Sequence, residues 1–487
     1  MPDLNQTKST LESLALTGCK ISELKPYYFR GFENLQQLNL ESNEFTQLKD
    51  YTFDGLSALL NLKMANNKIT ATEWFTFHGL SSLQGFYAYS GYLTTFPCVG
   101  PFSPFLNIFQ VHGNKIENFP ANCTQFANVT DMRFYVNNLQ GVTINNALNT
   151  FTKVGFFHFK KVGKVCFEFD GVNQLKLSTG IDITENNLKY FPVKNCSVNN
   201  TEPDERALDL PVVENLYLQT NELLQLPNIS LLVNLKKLYL RHNKLTKLPL
   251  LVFAGNKILN YLDMSNNQFT NLPPLVFSSN EDLQHIDIST NLLTEAPDLT
   301  GGCKSLTKLQ LGSNKITGLP PNYFSGCPVL TDVSLSHNLL TAIPSLTPIG
   351  NSLTKLNLDH NQITGHVSAD SFLNLTAMHT SNFDSNQITS FDMSLLQHTP
   401  SFYQLSFRRN NLQTEIGDPY RWCSRKACVD FRLFVDFNSK VPCDESRCWA
   451  KRYPTPIKSY FGKCFGKFWK HVTLADLKCP GDVYNFC

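Results

Sequence analysis

Hydrophobic positions in this chain keep neither the 3.6-residue period of an amphipathic helix nor long two-residue alternation. They return in one frame, L-x-x-L-x-L-x-x-N-x-L, every 22 to 25 residues, with Met, Ile or Phe standing in for Leu. Leu35, Leu38, Leu40, Asn43 and Phe45 show it, and Leu59, Leu62, Met64, Asn67 and Ile69 repeat it. The frame resumes at Leu235, Leu238, Leu240, Asn243 and Leu245, then at Leu259, Leu262, Met264, Asn267 and Phe269. It runs on through Leu283/Asn291, Leu306/Asn314, Leu330/Asn338, Leu353/Asn361, Met378/Asn386 and Phe402/Asn410. Each L-x-L predicts a short strand with its leucines inward and the alternating residues outward. A unit this small cannot close a core, so its leucines must be buried on neighbouring units and the strands must stack. The Asn carboxamide supplies donor and acceptor to backbone groups where each strand ends. Leu248-Pro249 with Phe253, Leu272-Pro273 with Phe277, and Leu319-Pro320 with Phe324 place a phenylalanine on the side away from the strands.

The frame weakens in places. In the first unit Leu11, Leu14, Leu16 and Ile21 fit, but Cys19 stands where Asn belongs, which predicts a buried free thiol. Gly91 takes the same slot in the fourth unit. Residues 151–177 align poorly, and 192–212 is polar and loop-like. Two readings stay open there: a degenerate repeat with a surface loop, or an interruption that bends the solenoid or projects a binding loop.

The frame resembles the extracellular leucine-rich-repeat family, with 24-residue units ending L-P-x-x-x-F-x-x-L. The resemblance implies an α/β repeat solenoid: a leucine-rich-repeat horseshoe with a parallel concave β-sheet and a cysteine-rich C-terminal cap. The expected division is a solenoid of about 17 repeats over 1–412, irregular near 151–212, and a basic cap over 413–487. Asp418-Pro419-Tyr420-Arg421-Trp422-Cys423 is similar to the N-P-W-x-C-x-C opening of such caps, without the C-x-C, so the family's cap pairing is not carried over. Likeness to Toll-like receptor ectodomains and matrix leucine-rich proteoglycans implies non-catalytic recognition of an extracellular protein by the concave face or a rim. A carrier or stabilising subunit of a secreted complex, or a cross-linked matrix component, are the alternatives.

Cysteine usage bears on compartment. Seven of the fourteen fall near the end (Cys423, Cys428, Cys443, Cys448, Cys464, Cys479 and Cys487), without the paired CxxC knuckles of structural zinc sites. Disulfides and an oxidising, extracellular compartment follow, and the odd number leaves one cysteine over, with Cys487 the first candidate for a bond to another chain. The start, Met1-Pro2-Asp3-Leu4-Asn5, is polar and carries no secretory leader, and the repeat begins by Leu11, so either a mature or trimmed secreted chain or the loss of the true start is expected. Cys303 and Cys327 each precede the first leucine of their repeats by three residues, which places them about one strand spacing, roughly 5 Å, apart. Cys98 with Cys123, and Cys166 with Cys196, are similar pairs in looser register.

Outward columns are the default binding face. Two aromatic concentrations emerge, Tyr87, Tyr89 and Tyr135, and then Tyr217 and Tyr239 beside Arg241. Tyrosine and arginine anchor interfaces, although tyrosine is also simply a good residue for an exposed strand. His337 and His360 share a third column with Asp359 and Asp384 nearby; solvated side chains, with no metal and no cofactor, are the expectation.

The 42 basic and 40 acidic residues give a net charge of +2, but twelve Lys/Arg against four acids fall between 421 and 475. Lys463, Lys467 and Lys470 interleave with Phe465, Phe468 and Trp469, a surface for a sulfated glycan or another acidic partner, or else the core and rim of a small cap. Nucleic acid would fit the charge but not the compartment. Sequons occur at Asn5, Asn128, Asn199, Asn228 and Asn374, and at Asn122 and Asn195, where a following cysteine hinders modification. A disulfide-linked or non-covalent oligomer is compatible with all of this. No run of 18 apolar residues is present, nor any H-E-x-x-H, G-x-S-x-G or P-loop motif, so catalysis is not expected.

Overall fold

The computed structural model describes residues 8–117, 129, 131–133, 137, 142–144, 153–155, 165–167, 180–182, 184, 213–226, 228–413, 432–435, 438, 463–464 and 467–468. The chain forms two compact units. The first comprises Met1–Leu248 with Gly255–Leu259; the second comprises Pro249–Ala254 with Asn260–Cys487.

Each unit is built on a ladder of three-residue parallel strands. In the first, Ser13–Ala15 pairs with Gln37–Asn39, which pairs with Asn61–Lys63, Gly85–Tyr87 and Ile108–Gln110 in turn. Asp131–Arg133, Lys153–Gly155, Gly180–Asp182, Asn215–Tyr217 and Lys237–Tyr239 continue the same ladder. The second unit repeats the arrangement from Tyr261–Asp263 to Gln404–Ser406. Arg432–Phe434 adds one more rung, inside the segment expected as cap. Where the described residues show it, the central residue of a ladder strand is buried: Leu38, Leu62, Phe86 and Phe109 in the first unit, Leu262, Ile286, Leu309 and Val333 in the second. Each contributes about 1.5–3 kcal/mol when fully buried. Ser381 interrupts that column, and its hydroxyl donates to the Met378 sulfur at 3.5 Å.

The asparagines close the ladder as their chemistry requires. Asn338 Nδ2 donates to the Leu311 and Leu335 carbonyls at 2.9 and 3.1 Å, and its Oδ1 accepts from Ile316 N–H at 3.0 Å. Asn43 does the same with Leu16, Leu40 and Ile21. These groups would otherwise be buried without partners. Cys19 corrects the expectation made for it: the thiol is free, as predicted, but exposed. It donates only to the Thr17 carbonyl at 3.7 Å, because a thiol lacks the strong donor pair that draws a carboxamide into the turn. At Gly91 a Cβ would lie 2.8 Å from Asn114 Oδ1, so no side chain fits in that slot unless its neighbours shift.

The return segments carry turns and short 3₁₀ helices, such as Thr347–Ile349 and Met393–Gln397, and among the described residues no α-helix. The L-P step removes a backbone donor, and the remaining residues close i→i+3 bonds such as Phe32 N–H to the Phe29 carbonyl at 3.2 Å. Behind these turns the phenylalanines stack: Phe29 on Phe53 at 6.0 Å, Phe53 on Phe77 at 5.8 Å, and in the second unit Phe253 on Phe277 at 6.1 Å. Among the described residues no helix is long and apolar enough to cross a membrane.

Candidate protein-binding surface

Each ladder strand has three residues, and where the middle one is buried both flanking residues point to the same exposed face of the sheet. On the first unit that face carries two groups of tyrosines among polar residues. Tyr217 and Tyr239, paired in register on adjacent strands, stack with ring centroids 4.7 Å apart and 13° between planes. Both are half-buried, and Arg241 beside them is exposed. Tyr87 lies over Gly85, where a Cβ would come within 2.8 Å of its ring, and Lys63 Nζ sits 6.0 Å from the ring centroid. Tyr89 stacks on His112 at 4.7 Å, and its hydroxyl donates to Glu41 Oε1 at 3.5 Å. Tyr135 lies outside the described residues.

The second unit presents a different face. Asp263 and Asp287 each accept from the N–H and hydroxyl of the serine two residues on, Ser265 and Ser289. Tyr261 stacks on His285 at 4.5 Å, a pair that sequence reasoning passed over. Burial, then the neighbouring Lys308, lowers the His285 pKa. The signal was available: both residues immediately precede the buried centre of their strand.

The remaining candidates separate. Cys303 and Cys327 meet with Cα atoms 4.7 Å apart, within disulfide geometry. The Cys98–Cys123 and Cys166–Cys196 expectations each involve a residue outside the described set. Asn374 is exposed with φ +65°, and Asn228 is half-buried with its Oδ1 accepting from Ser230 N–H at 3.2 Å. Asn5, Asn128 and Asn199 lie outside the described residues, as do Trp469 and Lys470. Lys463–Cys464 and Lys467–Phe468 pair as an antiparallel two-stranded ribbon.

Family models called leucine rich repeat match residues 9–69, 33–89, 233–293 and 304–363, and a second repeat model matches 352–375. This chain is a leucine-rich-repeat protein. Among curated proteins, no sequence matches it significantly. A leucine-rich-repeat protein of Leptospira interrogans superposes with a TM-score of 0.56 at 20% identity, over 94% of this chain and 97% of that one. YopM from Yersinia enterocolitica gives 0.52 at 18%, over 89% and 85%. A chain in the Toll–Spatzle complex of Drosophila gives 0.57 at 19%, over 88% of this chain and 54% of its own length. At these identities the likeness is one of fold, and the leucine-rich-repeat ladder is what these proteins share.

Proposed function

We propose that this chain is a non-catalytic extracellular scaffold that captures a protein partner on the exposed sheet face of its first unit. The stacked pair Tyr217–Tyr239, with Arg241 exposed beside it, carries the reading. The two rings are held in place by each other, so little side-chain entropy remains to be lost on contact. Tyrosine and arginine are the residue types that dominate interface energetics. Tyr87 and Tyr89 supply a second cluster of the same kind. Similar folds occur in structures of receptor-type complexes, Toll with Spatzle and PEPR1 with AtPEP1, which supports a protein rather than a small-molecule ligand. The apposition of Cys303 and Cys327 supports an oxidising location.

The test compares the wild-type chain with a Tyr217→Ala, Tyr239→Ala, Arg241→Ala triple variant, each immobilised and exposed to extracellular fluid. Mass spectrometry should identify a protein retained by the wild type and lost from the variant. The same proteins on both surfaces, in equal amount, would remove this face from the reading.

A further inference from the structure

We propose that His337, Asp359 and His360 form a binding site for a divalent transition-metal ion, with zinc as the probe that fits it best. The residue preceding each ladder asparagine has a left-handed backbone in rung after rung, including His337 at φ +52° and His360 at φ +51°. Identical backbone geometry one strand apart brings the two imidazoles into a parallel stack, with centroids 4.0 Å apart and 9° between planes. The N–H of His337 donates to the Asp359 carbonyl at 2.8 Å, and Asp359 N–H donates to Asn357 Oδ1 at 3.2 Å. Those bonds fix the Asp359 backbone between the two histidines.

The half-buried Asp359 carboxylate is only partly satisfied by its surroundings. Its Oδ2 lies 3.2 Å from His360 Nδ1, but its Oδ1 is shut off from solvent and receives no hydrogen bond. A carboxylate oxygen without water or a donor is costly. Other aspartates on this face avoid that cost. Asp384 Oδ1 accepts from the Ser406 hydroxyl and from Arg408 N–H, and Asp287 Oδ1 accepts from Ser289 twice. The residue of the next rung that stands where Ser406 stands for Asp384 is Asn382, and its Oδ1 already accepts from Asp384 N–H. A cation held between Oδ2 and the two rings would offset the charge of a carboxylate whose other oxygen has no donor.

One ligand atom from each of the three residues lies within 4.8 Å of the others. A tetrahedral ion with bonds of about 2.0–2.1 Å needs ligand atoms about 3.3 Å apart. Both histidines are exposed, so rotation of the rings closes that gap without moving the backbone. Two imidazoles and one carboxylate suit zinc, copper or nickel, whereas calcium and magnesium demand more oxygen ligands. The ion would clasp two adjacent rungs.

The test uses the full chain, free of any affinity tag and with its cysteines left oxidised. Zinc is titrated by calorimetry and cobalt by its visible absorption. The comparison proteins are His337→Asn/His360→Asn, whose asparagines accept the left-handed backbone, and Asp359→Asn. The wild type should bind one equivalent more than the double variant and at least tenfold more tightly than Asp359→Asn. Zinc should raise the melting temperature of the wild type more than that of either variant. Matching circular dichroism in chelator establishes that the variants fold, and should one fail, the other is read. Equal stoichiometry and affinity in wild type and a folded variant would overturn the site.

Discussion

The two units use one backbone slot in opposite ways. Two residues before the buried Phe29, Phe53, Phe253, Phe277 and Phe324, the chain is left-handed, at Tyr27 and Tyr51 in the first unit and at Leu251, Leu275 and Asn322 in the second. In the first, the tyrosines stack on each other at 5.4 Å and on Phe75 at 5.6 Å, and the Arg30 guanidinium covers Tyr27 at 3.9 Å. In the second, Leu251 and Leu275 stand 60% and 48% exposed. Bulky side chains avoid this conformation, at roughly 1–2 kcal/mol. The rung-to-rung bonds impose it anyway: Tyr27 N–H donates to the Tyr51 carbonyl at 2.9 Å, and Tyr51 N–H to Phe75 at 3.0 Å. Backbone geometry here is the property of the repeat, while the side chain is free to vary. The sheet faces differ by the same licence, with stacked tyrosines on the first unit and serine-capped aspartates on the second.

The largest expected effect tests the depth of the two phenylalanine stacks. Phe53→Ala should cost about 3–5 kcal/mol, and Phe277→Ala about 1 kcal/mol less, because Phe53 has a stacked ring on both sides. Denaturant unfolding of both variants measures the difference, and equal losses would mean that the stacking adds nothing to burial. Reduction should cost the second unit about 2–4 kcal/mol through Cys303 and Cys327, read as a fall in melting temperature with reductant that Cys303→Ala/Cys327→Ala no longer shows. Asparagines come next. Asn338→Ala strands a buried N–H and two carbonyls and should cost about 1–3 kcal/mol. Asn67→Ala should cost less, since Asn67 Oδ1 has no partner to lose. Smaller still, Leu251→Asn should stabilise by up to about 1 kcal/mol because asparagine tolerates the left-handed slot, whereas Tyr51→Asn should destabilise by losing its stack.

The smallest effect is one of pH. With its folded pKa held below the ordinary imidazole value of 6.5, His285 is neutral in the native state where the unfolded chain takes up a proton. Its contribution is therefore complete above that value and is lost as pH falls below it toward the lowered pKa. His285→Gln should flatten the stability profile across that interval, as followed by melting temperature. A profile unchanged by the substitution would mean that Tyr261 and Lys308 leave His285 titrating normally.

In the regular repeats the L-x-L strands, their parallel pairing and the asparagine ladder were legible in the sequence, because each depends on spacing and on one buried side chain per rung. The strands at Lys153–Gly155 and Val165–Phe167, by contrast, fall where the frame aligned poorly. The rung at Arg432–Phe434 was passed over because Asp430 stands where the frame expects leucine, although Leu433, Val435 and Asn438 keep the rest of it. Asn438 makes the expected bonds, to the Phe407 and Val435 carbonyls at 2.8 Å each. The histidine column was also legible. What separates Asp359 from Asp384 was not, because it rests on which neighbour carries a hydroxyl and where that hydroxyl points. Cys19 misled because position in the frame was taken for burial, and burial at that position comes from the carboxamide.

Ladder asparagines such as Asn43, Asn338 and Asn386 bond to their own rung and to one neighbour, and the neighbour's part can be played by any other rung. Removal or duplication of a whole unit therefore leaves each carboxamide with equivalent partners. Return segments already differ by a few residues, from 22 to 25 per unit, without disturbing the strands. The step from a strand's buried centre to its asparagine does not vary in the same way, as Leu38 to Asn43, Leu238 to Asn243 and Leu433 to Asn438 show. A gene for such a chain can change length by copying or losing entire units, and selection can then work on the exposed faces of the copies while the spine stays as it was.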